Sequence, residues 1–149
     1  MSADVPQSGT PQTKRKLIEV SAGVIFRRGL LLITQRRPQD HLGGLWEFPG
    51  GKRDPDESDE ACLHRELLEE LDIEVTIHGL IQTLTHEYPG KLVQLKFFHC
   101  DWLQREPRAL AVHDIAWVRR EELVNYTFPE ADAQLLQKLQ ATPEFWIGK

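Results

Sequence analysis

Three glutamates, Glu66, Glu69 and Glu70, lie within the segment "SDEACLHRELLEEL" at positions 58–71. This segment is predicted to be a helix, and at about 100° per residue the three carboxylates fall on one arc of it. Glu66 and Glu70 are like charges at i,i+4, which destabilises a solvated helix. Clustered carboxylates are hard oxygen ligands suited to Mg²⁺ or Mn²⁺. The helix alone is therefore compatible with a cation site and with a solvated acidic face.

The opposite arc of this helix is apolar and must pack against another layer of structure. Ser58 is a suitable N-cap, and the acidic residues of the first turn suit the positive end of the helix dipole. We expect a sheet to cover the apolar arc, so that the carboxylates face the other side. The arc consists of Leu63, Leu67, Leu68 and Leu71, with Ala61 at its edge.

The rest of the chain alternates between strand-like and helix-like segments. A glycine turn separates the first two strands, and Pro89-Gly90 joins the next two into a hairpin. This pattern predicts an α/β domain with a mixed sheet covered by helices. The predicted strands are 17–27, 28–36, 73–89, 90–103 and 113–118, and the predicted helices are 58–71, 120–126 and 129–140.

The stretch before the acidic helix, "GGLWEFPGGK" at 43–52, holds two Gly-Gly pairs, a proline and two large aromatic residues. Such a stretch cannot be a helix and is a poor strand. We therefore predict a long loop over residues 37–57. Long loops in compact domains are usually functional.

Loop and helix together form a spaced motif: Gly51, five residues, Glu57, seven residues, then Arg65-Glu66-Leu67-x-Glu69-Glu70-x-x-Ile73. This motif resembles the signature of the Nudix hydrolases, G-x5-E-x7-R-E-U-x-E-E-x-G-U, where U is apolar. The last glycine is the one departure, because Asp72 stands in its place. Asp tolerates the left-handed turn better than most residues, so we expect a local effect on stability more than on chemistry.

The resemblance implies a Nudix-type α/β/α sandwich that hydrolyses a nucleoside triphosphate to a monophosphate and pyrophosphate with Mg²⁺, with Mn²⁺ as the alternative metal. The implied metal ligands are Glu66, Glu69, Glu70 and the carbonyl of Gly50. Glu57 and Arg65 are implied to form a pair that orients Glu66. Lys52 would place a positive charge beside the diphosphate.

The segment "ITQRRPQDHLGGLWEFPGGK" is similar to the MutT branch of this family, which hydrolyses oxidised nucleoside triphosphates. The similarity also implies a set of substrate-binding residues. Phe48 and Phe128 have an alternative interpretation as core residues, and Arg36 has one as a surface residue. The implied contacts are Arg36 to the phosphate, Phe48 in the base pocket, Tyr88 and Lys91 near the base, and Phe128 and Asp132 of "FPEAD" at the base edge.

Two departures from the branch leave the substrate open. Asp132 stands where MutT has Asn, and it fits relatives that prefer pyrimidines as well as one that reads oxidised purines. Ala111 stands where many relatives carry a Glu, and His113 or Asp114 is a candidate replacement. We expect 8-oxo-dGTP as the preferred substrate. The alternatives are CTP, 5-hydroxy-CTP or a non-catalytic nucleotide-binding regulatory module.

Length and composition set the remaining expectations. The 149 residues fit a polar, disordered tail at 1–16 and one domain at 17–149. A net charge of −5 argues against a stable nucleic-acid complex, and no apolar run is long enough for a membrane helix. Cys62 and Cys100 are too few for a disulfide framework. We expect a cytoplasmic protein, monomeric or dimeric, with a nucleotide as its partner.

Overall fold

The fold begins with a β-hairpin whose turn was predicted. The computed structural model describes residues 15–147, so the predicted tail lies outside the described residues apart from its last two. Strand β1 is Lys16–Arg27 and β2 is Leu30–Gln35. Arg28 and Gly29 connect them with φ angles of 53° and 80°. Positive φ at both turn positions is typical of a tight hairpin, and glycine accepts it without strain.

Seven strands of the described chain form one sheet. The path runs β3-β2-β1-β6-β5, while β4 pairs with β1 and β7 pairs with β2. β1 and β6 are parallel and the other pairs are antiparallel, so the prediction of a mixed sheet is confirmed. The further strands are β3 Trp46–Glu47, β4 Gly50–Lys52, β5 Glu74–Tyr88, β6 Lys91–Gln104 and β7 Asp114–Val118.

Successive side chains of a strand point to opposite faces of the sheet, and the apolar ones form a hydrophobic layer on each face. Val24 and Phe26 of β1 pack into the cluster that contains Leu135 and Leu139 of helix α2, Ala133–Ala141. Ile25, between them, packs into the cluster under helix α1, Asp59–Leu71. The sheet is therefore covered on both faces, and the predicted α/β/α sandwich is confirmed.

Several segments differ from their prediction. Residues Arg120–Asn125 form a 3-10 helix, and a second 3-10 turn, Glu130–Asp132, precedes α2. A third, Pro143–Trp146, follows α2, and its Trp146 Nε1 donates to the carbonyl of Leu139 at 2.9 Å.

Among residues 15–147, no helix is long and apolar enough to cross a membrane.

Helix α1 begins and packs as predicted, with one exception. Ser58 Oγ accepts a hydrogen bond from the backbone N–H of Ala61 at 3.0 Å, which confirms the N-cap. Leu63, Leu67 and Leu71 are fully buried. Leu68 was predicted to be buried with them but is 41% exposed. The reason is geometric, because Leu68 is rotated by about 100° from Leu67, the centre of the buried arc.

The predicted long loop is also partly wrong, because residues 37–57 contain β3 and β4. Gly50, Gly51 and Lys52 pair with Ala22, Ser21 and Val20 of β1. A side chain at Gly50 would place its Cβ 2.7 Å from Cα of Ala22. Glycine, a weak strand former, is required here because the two backbones approach too closely for a side chain.

Asp72 ends α1 in the left-handed conformation, with φ 58° and ψ 38°. Its N–H donates to the carbonyl of Leu68 at 3.1 Å. Its carboxylate pairs with Arg105 Nη1 at 3.0 Å and with Arg108 Nη2 at 3.4 Å. The aspartate therefore makes ion pairs that a glycine cannot make, and these offset part of the cost of its left-handed backbone.

We predict that Asp72→Ala destabilises the protein by about 1–2 kcal/mol, because alanine keeps the strain of the left-handed backbone and loses the ion pairs. Asp72→Gly loses the same ion pairs but relieves the strain, so its stability should stay near that of the natural protein. Urea unfolding of the three proteins measures the difference. Equal stabilities for the alanine and glycine variants would contradict the role of the backbone conformation.

Candidate functional site

One cleft of about 460 Å³ collects most of the residues predicted to bind substrate or metal. It reaches from α1 and β4 at one end to the start of α2 at the other, with β6 along its floor. We call the part next to α1 the acidic end and the part next to α2 the base end. Arg65, Glu57, Glu69 and Phe128 are predicted site residues that do not line it.

The acidic end carries carboxylates that are poorly compensated. Glu66 and Glu70 line the cleft beside the backbone of Gly50 and Gly51. Burial raises the pKa of Glu66. Burial, the charge of Glu66 and then that of Glu47 raise the pKa of Glu70 to about 8. Negative charge is therefore concentrated at this end and disfavours its own ionisation.

Gly51 lets the backbone touch the acidic helix. A Cβ at this position would lie 2.7 Å from Glu66 Oε2, so a side chain here would displace the carboxylate of Glu66. The thiol of Cys62, on the buried side of α1, lies 3.5 Å from the carbonyl of Gly51. The backbone of strand β4 thus lies directly against the carboxyl of Glu66 and the thiol of Cys62, and this contact defines the wall of the acidic end.

Arg65 holds the helix to the preceding loop. Its Nε and Nη2 donate to the two oxygens of Glu57 at 3.0 and 2.6 Å, and Nη2 also donates to the carbonyl of Lys52 at 3.0 Å. The bond to Arg65, followed by that from the backbone N–H of Asp54, lowers the pKa of Glu57 to about 2. The predicted pair of Glu57 and Arg65 is therefore present and is charged at any ordinary pH.

The same arginine also contacts two of the three glutamates that were predicted as metal ligands. Its Nη1 lies 3.0 Å from Glu66 Oε2 and 3.2 Å from Glu69 Oε1. The side chain of Glu69 is 59% exposed and lies on the flank of α1. In the part of the chain that the structure describes, no three His, Cys, Asp or Glu side chains converge on one point. The acidic end is thus a set of oxygen donors and not an assembled cage.

The mouth of the cleft is formed by Arg36, His41, Tyr88 and Lys91. Arg36 Nη1 pairs with Glu47 Oε1 at 2.9 Å, and its Nε donates to the carbonyl of His41 at 2.5 Å. The imidazole of His41 meets the edge of the Tyr88 ring at 5.9 Å, and Lys91 Nζ lies 5.3 Å from that ring's centre. Arg36 therefore faces the cleft and is not a plain surface residue.

The base end combines an aromatic wall with one acid. Phe48 lines the cleft and is only 4% exposed, so it serves both the cleft and the core. Phe128 packs on Phe48 at 5.3 Å between ring centres and lies outside the lining. Asp132 is 6% exposed and lines the cleft, and its side chain makes no capping bond to α2. Burial, and then the charge of Glu47, raise the pKa of Asp132 to about 7.

The interpretation of the sequence missed Glu47 and His41, which also line the cleft. A signal for Glu47 was present in "WEFPGGK", where two buried or half-buried aromatics flank a carboxylate, as in a strand. Assigning the segment as loop concealed that alternation. His113 and Asp114 are exposed and do not contribute to the cleft lining. The N–H groups of Leu110 and Ala111 instead donate to the carbonyl of Glu70 at 3.0 and 3.3 Å.

We predict that Asp132 lowers the stability of the metal-free protein as the pH rises from about 4 to about 7. The unfolded carboxyl ionises near its ordinary pKa of 3.8, whereas the folded one keeps its proton until about pH 7. The folded state therefore binds more protons in this window, and its stability falls with pH. In thermal unfolding with a chelator, Asp132→Asn should gain stability over the natural protein across this window. A constant difference between the two proteins would show that Asp132 does not titrate as argued.

The sequence and the fold of this chain both match a known protein family. The NUDIX domain profile matches residues 21–138. The chain is 38% identical over 126 residues to the CTP pyrophosphohydrolase of Escherichia coli K12, covering 85% of this chain and 93% of that one. It is 34% identical over 126 residues to the 8-oxo-dGTP diphosphatase of Haemophilus influenzae, covering 84% and 93%. A solved MutT structure, from work on Aliivibrio salmonicida and Vibrio cholerae, superposes with a TM-score of 0.71 at 31% identity, covering 84% and 97%. The chain belongs to the NUDIX domain family, as the spacing of its acidic helix predicted.

Proposed function

We propose that this protein is a Mg²⁺-dependent nucleoside triphosphate pyrophosphohydrolase that forms a nucleoside monophosphate and pyrophosphate, with 8-oxo-dGTP as its preferred substrate. The supporting observation is that one cleft joins the carboxylates of Glu66 and Glu70 to the buried acid of Asp132. Arg36, Lys52 and Lys91 supply positive charge along the same cleft. A ligand with a base at one end and phosphates at the other suits this distribution of charge.

The acidic end fits a divalent cation by the chemistry of its donors. Every candidate ligand is an oxygen: the carboxylates of Glu66, Glu69 and Glu70 and the carbonyl of Gly50. Burial, and then the charges of Glu66 and Glu47, raise the pKa of Glu70 to about 8, and a cation there would offset both effects. When bound, Mg²⁺ or Mn²⁺ neutralises phosphate charge and favours attack of water at phosphorus.

The side chains around the acidic end orient and balance the reacting groups. Glu57 fixes the guanidinium of Arg65, and Arg65 in turn donates to Glu66 at 3.0 Å, which orients that carboxylate. Lys52 is exposed at the cleft and is available to the phosphates. Glu66, Glu69 and Glu70 are the candidates for accepting the proton of the attacking water.

Asp132 is the residue that we propose to hydrogen-bond the base and so to select it. A protonated carboxyl donates and accepts a hydrogen bond, whereas an ionised one only accepts. With a pKa of about 7, both forms are present near neutral pH. CTP is a second candidate substrate, because a relative that is 38% identical is named CTP pyrophosphohydrolase. The motif keeps all of its charged positions, which argues against a non-catalytic binding module.

The function is tested by pyrophosphate release from 8-oxo-dGTP, dGTP, CTP and 5-hydroxy-CTP, each compared by kcat/KM with Mg²⁺ and with a chelator. We expect Mg²⁺-dependent release, fastest for 8-oxo-dGTP. A higher kcat/KM for the cytidine nucleotides would move the assignment to the second candidate. Nucleotide binding without any turnover would leave only a binding module.

We predict that Glu70→Gln abolishes most of this activity while the protein stays folded, because the change keeps the size of the side chain and removes one negative oxygen donor. Glu60→Gln is the matched control, since Glu60 is an exposed acid on the same helix and does not line the cleft. Circular dichroism and pyrophosphate release are measured on both variants. Activity of Glu70→Gln within about threefold of the control would remove Glu70 from the proposed ligands, given the tenfold or larger effects expected of metal-site groups.

Removing the proposed base reader should change the choice of substrate and not the chemistry. Asp132→Ala is expected to lower kcat/KM for the preferred nucleotide by roughly 3- to 150-fold, the value of one hydrogen bond, neutral or charge-assisted. A poor nucleotide should lose much less, because it never made the contact. The ratio of kcat/KM values for 8-oxo-dGTP, dGTP and CTP is the measurement. An equal loss for all three would assign Asp132 to folding or metal binding.

A further inference from the structure

We propose that Glu47 is a positioning residue for nucleotide binding, which holds the guanidinium of Arg36 in the cleft and, through Arg36, secures the loop of residues 37–45. The inference rests on the proposed function, since it concerns how the same cleft receives a nucleotide. It concerns a carboxylate that the acidic motif does not include.

The contact itself is close and partly shielded from water. Arg36 Nη1 lies 2.9 Å from Glu47 Oε1, and the two side chains are 29% and 27% exposed. Both residues line the cleft. Arg36 Nε also donates to the carbonyl of His41 at 2.5 Å. The guanidinium is therefore fixed from two directions, and its position does not have to be selected from many rotamers when a ligand arrives.

Glu47 is the rigid partner of the pair. It belongs to β3 and pairs with Thr34 of β2. Its neighbours anchor it on both sides, because the N–H of Trp46 donates to the carbonyl of Thr127 at 2.8 Å and Phe48 is buried in the core. Arg36 instead follows the end of β2 and carries a long, flexible side chain. The strand therefore sets where the carboxylate lies, and the carboxylate sets where the arginine lies.

Through the bond to His41, the pair also holds the loop across the mouth. Gly44 N–H donates to the carbonyl of Arg36 at 3.1 Å, and Gln35 Nε2 donates to the carbonyl of Gly44 at 3.0 Å. These two bonds join the two ends of the loop. The ring of His41 then meets Tyr88 on β5 at 5.9 Å. Losing the Arg36 contact would release the segment that brings His41 to the aromatic rim.

Considered only as a negative charge, Glu47 should weaken nucleotide binding, whereas as a positioning residue it should strengthen it. The carboxylate shares the cleft with Glu66, Glu70 and Asp132, so it adds negative charge where a polyanion is proposed to bind. If Glu47 acted only through its charge, its removal would strengthen nucleotide binding. If it acts by positioning Arg36, its removal weakens binding. The direction of the change therefore separates the two roles.

The test is Glu47→Gln, which keeps the shape and removes the charge. We expect KM for the preferred nucleotide to rise by about 3- to 20-fold, with kcat within about twofold, because the amide oxygen of glutamine accepts from Arg36 without the attraction between opposite charges that holds the partly exposed pair. Calorimetric binding of the nucleoside monophosphate without metal should weaken by a similar factor. An unchanged or lower KM, or tighter binding, overturns the proposal.

A double-mutant cycle identifies the partner. Arg36→Ala should raise KM, and Glu47→Gln added to it should cause no further rise, because the arginine to be positioned is gone. Additive losses would show that Glu47 acts independently of Arg36. Arg36→Lys tests the same contact from the other side. Lysine keeps the positive charge but lacks the planar guanidinium with donors in several directions, so we expect KM to rise with this variant too.

Glu106→Gln is the matched control, because Glu106 pairs with Arg27 at 2.7 Å and lies outside the cleft. It should leave KM unchanged. Thermal unfolding of every variant excludes a folding defect as the cause. Failure of the proposed function would appear as a natural protein that releases no pyrophosphate. Failure of this inference would appear only as the wrong change between an active natural protein and Glu47→Gln.

Discussion

The burial of three leucines under α1 is the constraint on which the site depends. Leu63, Leu67 and Leu71 pack with Ile25 and Leu32 of the sheet, and this packing fixes the rotation of the helix about its axis. Once the rotation is fixed, the helical repeat decides the direction of every other side chain. Glu66 and Glu70 are then turned into the cleft, whereas Glu69 lies on the exposed flank.

Close approach of backbone to helix is the second requirement, and glycine meets it. Gly50 sits against Ala22 of β1, and Gly51 sits against the carboxyl of Glu66. Arg65 then joins the two sides by bonding Glu57 and the carbonyl of Lys52 before the helix, and Glu66 on it. The wall of the acidic end is therefore held by one buried hydrophobic stripe and one arginine, and the glycines of β4 contribute no side chain to it.

Charge is distributed unevenly along the cleft, so its two ends differ in their electrostatic character. The carboxylates of Glu66 and Glu70 share the acidic end, where burial raises the pKa of both and the charge of Glu66 adds to the shift of Glu70. Arg36 and Glu47 neutralise one another near the mouth at 2.9 Å. Asp132 is buried at the base end, where burial, and then the charge of Glu47, raise its pKa to about 7. Each region therefore presents a different charge to a bound ligand.

Local patterns determined the identity of the acidic helix, its N-cap and its fully buried leucines, because capping and the 3.6-residue repeat act within a few turns. They also determined the β5–β6 hairpin and the mixed sheet, since alternation and turn residues are local too. The left-handed backbone of Asp72 followed from its position after the last helical turn. These predictions needed no knowledge of which elements meet.

Only the tertiary structure decided which distant side chains share one cleft. Asp132 from the start of α2 and Arg36 from the end of β2 line the same cleft as the acidic helix because the sheet brings their strands and helices to the same end. The strand character of Gly50–Lys52 and the role of Gly51 depended on a partner, β1, that is distant in the sequence. Glu47 was missed for the same reason, since a two-residue strand is stable only through its pairing with β2 and carries too short a pattern to be recognised alone.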